Sequence, residues 1–254
     1  MAHVRIISIE NPQPDSVNVT CEHYRHSKWV IRRKYVESTL LPQMQRMGFE
    51  SAELFKAITD PDYVPLLTRD LYGKAINVAW LGHTIPIGSD GTPCLLSHFT
   101  LWKMCVDQGI TLFIFEDDAL LDPANEEMVF KAVREYESGP YNADVLYLQL
   151  AVPYHQTALK SYDKHNSIRL SPVLTRVIHT GDMAGSAAYV VRPGSAHALM
   201  QRAIAHGTAG ADAMMHRALD NKEIGVLIMT EYQRGFMLND HWSEWNHIHN
   251  PEIV

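Results

Sequence analysis

The chain has 254 residues, of which 46% are hydrophobic and 20% charged, and its formal net charge is −7. This composition can bury a full hydrophobic core, and it excludes a disordered or fibrous protein. The acidic balance argues against a large nonspecific nucleic-acid interface, although it is compatible with a local basic groove.

The sequence predicts a cytoplasmic protein. The first residues contain too short an apolar stretch for a signal peptide, and no run approaches about 18 apolar residues, so we expect no transmembrane segment. The three cysteines, Cys21, Cys94 and Cys105, are odd in number and lack the spacing of familiar metal sites. They indicate reduced thiols in a reducing compartment.

The spacing of apolar and turn-forming residues predicts strands and helices in the first half of the chain. The elements are a strand at 4–9, a helix at 28–47, a strand at 54–58, a Gly-rich loop region at 63–91, a helix at 95–106 and a strand at 111–115. Pro42 is a candidate for kinking or splitting the first helix. The basic residues 32–34 either neutralise phosphates or, more commonly for such a helix, lie on its solvated face.

The second half continues the alternation of helices and strands. Asp122 and Pro123 predict a helix start, because Asp is a preferred N-cap and Pro is favoured at the first helical position. The elements are that helix to about 136, a strand at 145–150, a polar irregular stretch at 151–182, a strand at 187–191, helices at 195–206 and 212–219, and a strand at 226–229. Without a repeat or linker, this order predicts one α/β domain over residues 1–254.

The most informative segment is TLFIFEDDAL, residues 111–120, in which an apolar run ends in Glu116, Asp117 and Asp118. Three adjacent carboxylates repel one another, so the fold needs a compensating charge, and a divalent cation is the usual one. If the backbone stays extended, Glu116 and Asp118 point to one side and Asp117 to the other. Ligands bind beyond the carboxyl ends of strands in open α/β sheets, so the segment indicates a metal-dependent enzyme acting on a nucleotide diphosphate.

Several segments resemble glycosyltransferase family 25, which includes bacterial lipooligosaccharide and collagen galactosyltransferases. Residues 97–121, preceded by Cys94, are similar to the family's Cys-x-x-Ser-His turn, Trp-bearing helix and strand ending in Glu-Asp-Asp. Residues 185–200 resemble its later Gly-Thr-x-x-Tyr strand and helix, and Asp212 stands where the family places an Asp. Residues 55–60 resemble the end of its second strand.

The resemblance implies a GT-A-like α/β fold with a mostly parallel central sheet flanked by helices. It implies a nucleotide-sugar-binding half at about residues 1–122 and an acceptor-side half at about 123–254. It also implies transfer of galactose or glucose from a UDP-sugar with inversion, assisted by Mn²⁺ or Mg²⁺. In such a single displacement the metal stabilises the leaving group while a general base takes the proton of the acceptor hydroxyl.

The acid triplet and the resemblance together predict the roles of individual residues. We predict Asp118 as the main metal ligand, with Glu116 as the second. Glu116 and Asp117 are also expected to orient water, the ribose or the backbone at the donor. Ser97 and His98, in the turn that begins the Trp-bearing helix, are predicted to contribute to donor binding or to helix capping.

Two aspartates are candidates for the general base, Asp212 at a helix start and its rival Asp182 in a Gly-flanked loop. Ordinary structural explanations stand beside the functional ones. Asp212 and Ser97 are common residues at helix starts, and His98 could be a core histidine with a satisfied ring. Cys94 is expected to be a small buried hydrophobic residue.

The acceptor is left open by the sequence. A saccharide hydroxyl is the family default, while a protein hydroxyl or a hydroxymethylated DNA base would need the same chemistry on another surface. The net charge disfavours a nucleic-acid partner without excluding one. The rival hypotheses are a catalytically silent binding module, which the intact acid triplet disfavours, and a nucleotidyltransferase, for which the N-terminus lacks a Gly-rich phosphate loop.

Overall fold

The computed structural model describes residues 1–8, 32–58, 75–78, 83–86, 92–148, 167–178, 186–206, 211–230 and 237–238. The strands are β1 (His3–Ser8), β2 (Ser51–Lys56), β3 (Ala75–Val78), β4 (His83–Pro86), β5 (Leu112–Glu116), β6 (Ala119–Leu120), β7 (Asp144–Tyr147), β8 (Ser167–Arg169), β9 (Leu174–Val177), β10 (Ala188–Val191), β11 (Gly225–Met229) and β12 (Met237–Leu238). The helices are α1 (residues 32–46), α2 (Thr92–Gln108), α3 (Glu126–Ser138), α4 (Pro193–His206) and α5 (Ala211–Asp220). None of the helices in these ranges combines the length and apolar character that a membrane crossing requires.

Eight strands form a central sheet in the order β2-β1-β5-β10-β7-β11-β9-β8. Strand β1 is parallel to β2 and β5, and β7 is parallel to β11, whereas β10, β9 and β8 each pair antiparallel to their neighbours. The predicted α/β class is confirmed, and the sheet is mixed because β10 lies antiparallel between β5 and β7 and β9 lies antiparallel between β11 and β8. Two short pairs, β3-β4 and β6-β12, stand outside the central sheet.

The sheet separates two hydrophobic cores, and strand β5 contributes to both because successive side chains point to opposite faces. Leu112 and Ile114 pack with the buried residues of α2, α4 and α5, while Phe113 and Phe115 pack with those of α1 and α3. Burying each such side chain contributes about 1.5–3 kcal/mol to stability. A central strand that is buried on both faces therefore has a continuous apolar sequence. The same alternation places Glu116, the last residue of β5, on the side of Leu112 and Ile114.

Pro42 is accommodated by a local change in α1. A π-helical turn at Val36–Leu40 leads directly into the α-helical residues Leu41–Arg46, whose first turn contains Pro42. Proline has no N–H to donate and its ring crowds the preceding turn, and a wider turn relieves both effects without ending the helix. The candidate kink is therefore a widening within a continuous helical segment.

The predicted start of the helix after the acid triplet is confirmed in detail. The Asp122 side chain accepts a hydrogen bond of 2.9 Å from the Ala124 N–H, and a 3₁₀ turn at Pro123–Asn125 precedes α3. Within the predicted irregular stretch 151–182, the described residues contain β8 and β9 at the edge of the sheet. Short, partly exposed edge strands lack the apolar alternation that reveals a buried strand.

Candidate active site

The carboxyl ends of β1, β2 and β5 meet at one edge of the sheet because these neighbouring strands are parallel. Ser8 and Lys56 are register partners at the ends of β1 and β2, and Glu116 ends β5 beside them. Asp117 and Asp118 follow in a turn before β6. The acid triplet thus lies where ligands bind in open α/β sheets.

The turn after β5 separates the three carboxylates into two groups. Glu116 follows the side of Leu112 and Ile114 and reaches α2, whereas Asp117 and Asp118 both reach α1. The condition under which Glu116 and Asp118 would share a side is not met, because the backbone turns at Asp117 and Asp118 rather than continuing extended.

Arg32 of α1 holds both aspartates. Its Nη1 donates to Asp117 Oδ1 at 2.9 Å and its Nη2 donates to Asp118 Oδ2 at 3.0 Å, with all three side chains at most 8% exposed. The expectation that residues 32–34 form a solvated face was wrong for Arg32. The planar guanidinium fork suits this arrangement because its two outer nitrogens can engage two carboxylates at once.

The Arg32 guanidinium supplies part of the positive charge that the acid triplet requires. Among the described residues, one guanidinium stands beside three carboxylates, so two negative charges are in excess when all three are ionised and His98 is neutral. Burial raises the pKa of Asp117 to about 7, with the Arg32 charge opposing the rise and the Asp118 and Glu116 charges adding to it. The site therefore favours binding either a proton or a further cation.

Glu116 belongs to a second, mostly buried hydrogen-bond network. Its Oε1 lies 3.2 Å from His98 Nε2 and accepts a hydrogen bond from the Ser186 hydroxyl. His98 Nδ1 lies 2.6 Å from the Tyr189 hydroxyl, which also accepts from Trp102 Nε1 at 3.0 Å. A carboxylate only accepts, so Nε2 carries a hydrogen, and in the neutral ring Nδ1 accepts from the Tyr189 hydroxyl.

This network fixes the state and direction of the Glu116 side chain. Burial alone would raise the pKa of Glu116, but the His98 hydrogen bond and charge, the Ser186 hydrogen bond and the Arg32 charge hold it below its ordinary value. Glu116 remains 27% exposed while His98 is fully buried. The Glu116 carboxylate is therefore ionised and accessible at the edge of the sheet, and its hydrogen bonds with His98 and Ser186 fix its direction.

Cys94 lies beside this pair, on the same face of α2 as His98. One ligand atom each from Cys94, His98 and Glu116 lie within 4.8 Å of one another. The prediction of a buried Cys94 was wrong, since its side chain is exposed. The oxygens of Glu116 and Asp118 suit Mg²⁺ or Mn²⁺, whereas the sulfur and nitrogen beside Glu116 suit softer ions.

The remaining predicted site residues have different surroundings. Ser97 is buried, and its hydroxyl accepts from the Ile58 N–H at 2.9 Å, which ties the start of α2 to the residues after β2. Asp212 lies in the first turn of α5, and its side chain accepts from the Ala213 N–H at 2.7 Å. Asp182 lies outside the described residues.

Sequence reasoning did not predict the contacts that four residues make in the site: Arg32, Tyr189, Ser186 and Cys94. Cys94 had a local signal for its contact, because it and His98 are four residues apart and so share one face of a helix. Arg32 is 85 residues from Asp117, and Tyr189 is 91 residues from His98. Such partners become visible only when the strand order is known.

The model of glycosyltransferase family 25, described as an LPS biosynthesis protein family, matches residues 31–215, well over half of the chain. No curated protein matches the chain. The family match covers Arg32, the whole of α2, the acid triplet and the start of α5, and the mixed α/β sheet is consistent with a GT-A-like glycosyltransferase. The chain therefore belongs to glycosyltransferase family 25, and it is an enzyme that transfers a sugar from a donor to an acceptor.

Proposed function

We propose that the protein transfers galactose or glucose from a UDP-sugar to an acceptor hydroxyl, with inversion and with help from a divalent cation. The observation that carries this proposal is the charge at the end of β5. Among the described residues there, three carboxylates lie beside one guanidinium, and when all three are ionised the excess of two negative charges equals the charge of one Mn²⁺ or Mg²⁺. Glu116 is held ionised and accessible at the same edge.

We assign the metal to Asp118 and Glu116, whose oxygens are the donors such ions prefer. When bound, the ion would stabilise the charge that develops on the leaving nucleotide diphosphate. Arg32 orients Asp118 and Asp117, and His98 orients Glu116 through Nε2. In known metal sites, the ligating side chains are oriented by hydrogen bonds of the same kind to neighbouring residues.

Donor binding is assigned to Ser97, His98 and Asp117 in addition to the metal ligands. Ser97 supports this role by bonding the backbone just beyond β2, next to the edge where the parallel strands end. The general base is assigned to Asp212 or Asp182. Helix α5, which carries Asp212, packs in the same core as α2 and so lies on the Glu116 side of the sheet.

The broader assignments rest on the same family relationship. We propose one domain, with the donor half at about residues 1–122 and the acceptor half at about 123–254. A saccharide is the proposed acceptor, and a protein hydroxyl or a DNA base is the alternative. The cytoplasmic location rests on the odd number of cysteines, which fits a reducing compartment.

The test is Asp118→Asn, with Asp122→Asn as its matched control. Asp122 is an exposed acid four residues away, and Asn caps a helix about as well as Asp, so the control should behave as wild type. Asp118→Asn is expected to lower the transfer rate from a UDP-hexose by at least ~100-fold. It should also remove the Mn²⁺-dependent increase in melting temperature that UDP-hexose produces.

The outcomes separate the proposed enzyme from its rivals. Transfer at the wild-type rate by Asp118→Asn would contradict the metal assignment. Mn²⁺-dependent binding of a UDP-hexose without release of UDP in the presence of saccharide acceptors would favour a silent binding module. Binding of UDP-galactose but not UDP-glucose, or the reverse, would identify the sugar.

A further inference from the structure

We propose that Cys94, His98 and Glu116 form a binding site for a thiophilic divalent cation of the Zn²⁺ class. This site is distinct in its donor chemistry from the carboxylate site assigned above to Asp118 and Glu116. It rests on the positions of three side chains from two elements, the start of α2 and the end of β5.

The three ligand atoms need only a small movement to surround an ion. They lie within 4.8 Å of one another, and His98 Nε2 is already 3.2 Å from Glu116 Oε1. Zinc bonds of about 2.0–2.3 Å in tetrahedral geometry place ligand atoms roughly 3.5 Å apart. Cys94 is exposed, so its sulfur can approach while the buried His98 stays in place.

The surroundings of the site independently support a metal-binding role. Metal-ligating histidines usually bond a second group through the other ring nitrogen, and His98 Nδ1 has such a partner in the Tyr189 hydroxyl at 2.6 Å. That hydroxyl can donate or accept, so it can hold the ring in the tautomer that leaves Nε2 available to an ion. Glu116 has an equivalent support in Ser186.

The donor set determines which ion the site prefers. A thiolate and an imidazole favour Zn²⁺ over Mg²⁺ and Mn²⁺, which prefer oxygen ligands. Three protein ligands with a fourth position open to water are the arrangement of zinc sites that are not closed structural centres. One consequence rests on the proposed function: because both sites use Glu116, Zn²⁺ should compete with Mn²⁺ and inhibit sugar transfer.

The test uses Co²⁺ as a spectroscopic substitute for Zn²⁺ in the full chain after treatment with a chelator. One equivalent of Co²⁺ is expected to produce a near-ultraviolet thiolate-to-cobalt charge-transfer band, and added Zn²⁺ should remove it. Cys94→Ser should abolish the band and weaken Zn²⁺ binding by at least ~10-fold. Cys105→Ser is the matched control, because Cys105 is buried and bonds the Ile110 carbonyl, so the band should persist.

Each result decides the proposal without reference to sugar transfer, since neither donor nor acceptor is present. Absence of a thiolate band in the wild-type protein, or its persistence in Cys94→Ser, would overturn the site. Failure of the UDP-hexose assays would leave this measurement unaffected. Glu116→Gln provides a second variant, and it should weaken Zn²⁺ binding while the thiolate band from bound Co²⁺ remains at higher Co²⁺ concentration.

Discussion

Replacing Arg32 by Met tests whether the guanidinium compensates the charge of the acid triplet. Methionine keeps much of the side-chain volume and removes the charge. Arg32 is 5% exposed, and its two contacts of 2.9 and 3.0 Å reach carboxylates that are each 8% exposed. Removing one partner of a buried ion pair costs about 3–5 kcal/mol, so we expect a loss of that size in the free energy of unfolding.

Arg33→Met is the matched control for this prediction. Arg33 is the next residue on α1, and its ion pair with Glu37 is a more exposed i, i+4 contact of 2.6 Å. Such pairs contribute about 0.3–0.5 kcal/mol, so the control should lose little. Both variants and the wild type are compared by urea denaturation, in which a change of midpoint at constant slope reports stability.

The pH dependence distinguishes lost charge compensation from lost packing. Without Arg32, the folded-state pKa of Asp117 should rise further, because the Arg32 charge opposes that rise, and a raised carboxyl pKa lowers stability as pH increases. The difference in free energy of unfolding between Arg32→Met and the wild type should therefore be largest above pH 7. It should decrease towards about pH 4, which is the ordinary pKa range of Asp. Replacing Asp117 and Asp118 by Asn in the Arg32→Met variant should recover most of the lost free energy of unfolding. A loss below 1 kcal/mol, or one independent of pH, would refute the reasoning.

Three further predictions concern other buried contacts. Tyr189→Phe removes the hydroxyl that forms hydrogen bonds with Trp102 Nε1 and His98 Nδ1. It should lower the free energy of unfolding, measured by urea denaturation, by about 1–3 kcal/mol. An unchanged midpoint would show that both nitrogens find other partners. Gly225→Ala should lose about 1–3 kcal/mol because its added Cβ meets the Asp144 carboxylate, and a neutral effect would mean that this carboxylate moves at little cost. Burial raises the pKa of Asp144, so the contribution of this carboxyl group to the free energy of unfolding should fall as pH rises above about 4. Asp144→Asn should remove this decrease from the pH dependence of stability.

Local patterns were sufficient for the elements that bury an apolar face. The run before Glu116 was predicted as a strand, and β5 is buried on both faces. The capping role of Asp122 was predicted because it depends on residues two positions away. The strands β8 and β9 were missed because they are short and partly exposed, with β8 at the edge of the sheet and β9 next to it, and little periodicity is required there.

The candidate site was predicted at the level of its location and not of its contacts. The position of the acids after a buried strand predicted that they lie at the carboxyl end of that strand, and the structure places them there. The source of their compensating charge depended on the packing of α1 against that edge, and the sequence pattern favoured a solvated face for Arg32 over a role in neutralising phosphates. The antiparallel insertion of β10, which brings Tyr189 to His98, is a property of strand order that periodicity does not contain.

The division of the acid triplet between two helices links the geometry of the site to both hydrophobic cores. Arg32 connects Asp117 and Asp118 to α1, which packs in one core, while His98 connects Glu116 to α2, which packs in the other. A metal held by Asp118 and Glu116 would therefore have one ligand positioned from each side of the sheet. Because interiors are close-packed and transmit strain, a cavity made on either side should shift one ligand relative to the other. We therefore expect large-to-small substitutions in either core to reduce metal affinity before they unfold the protein.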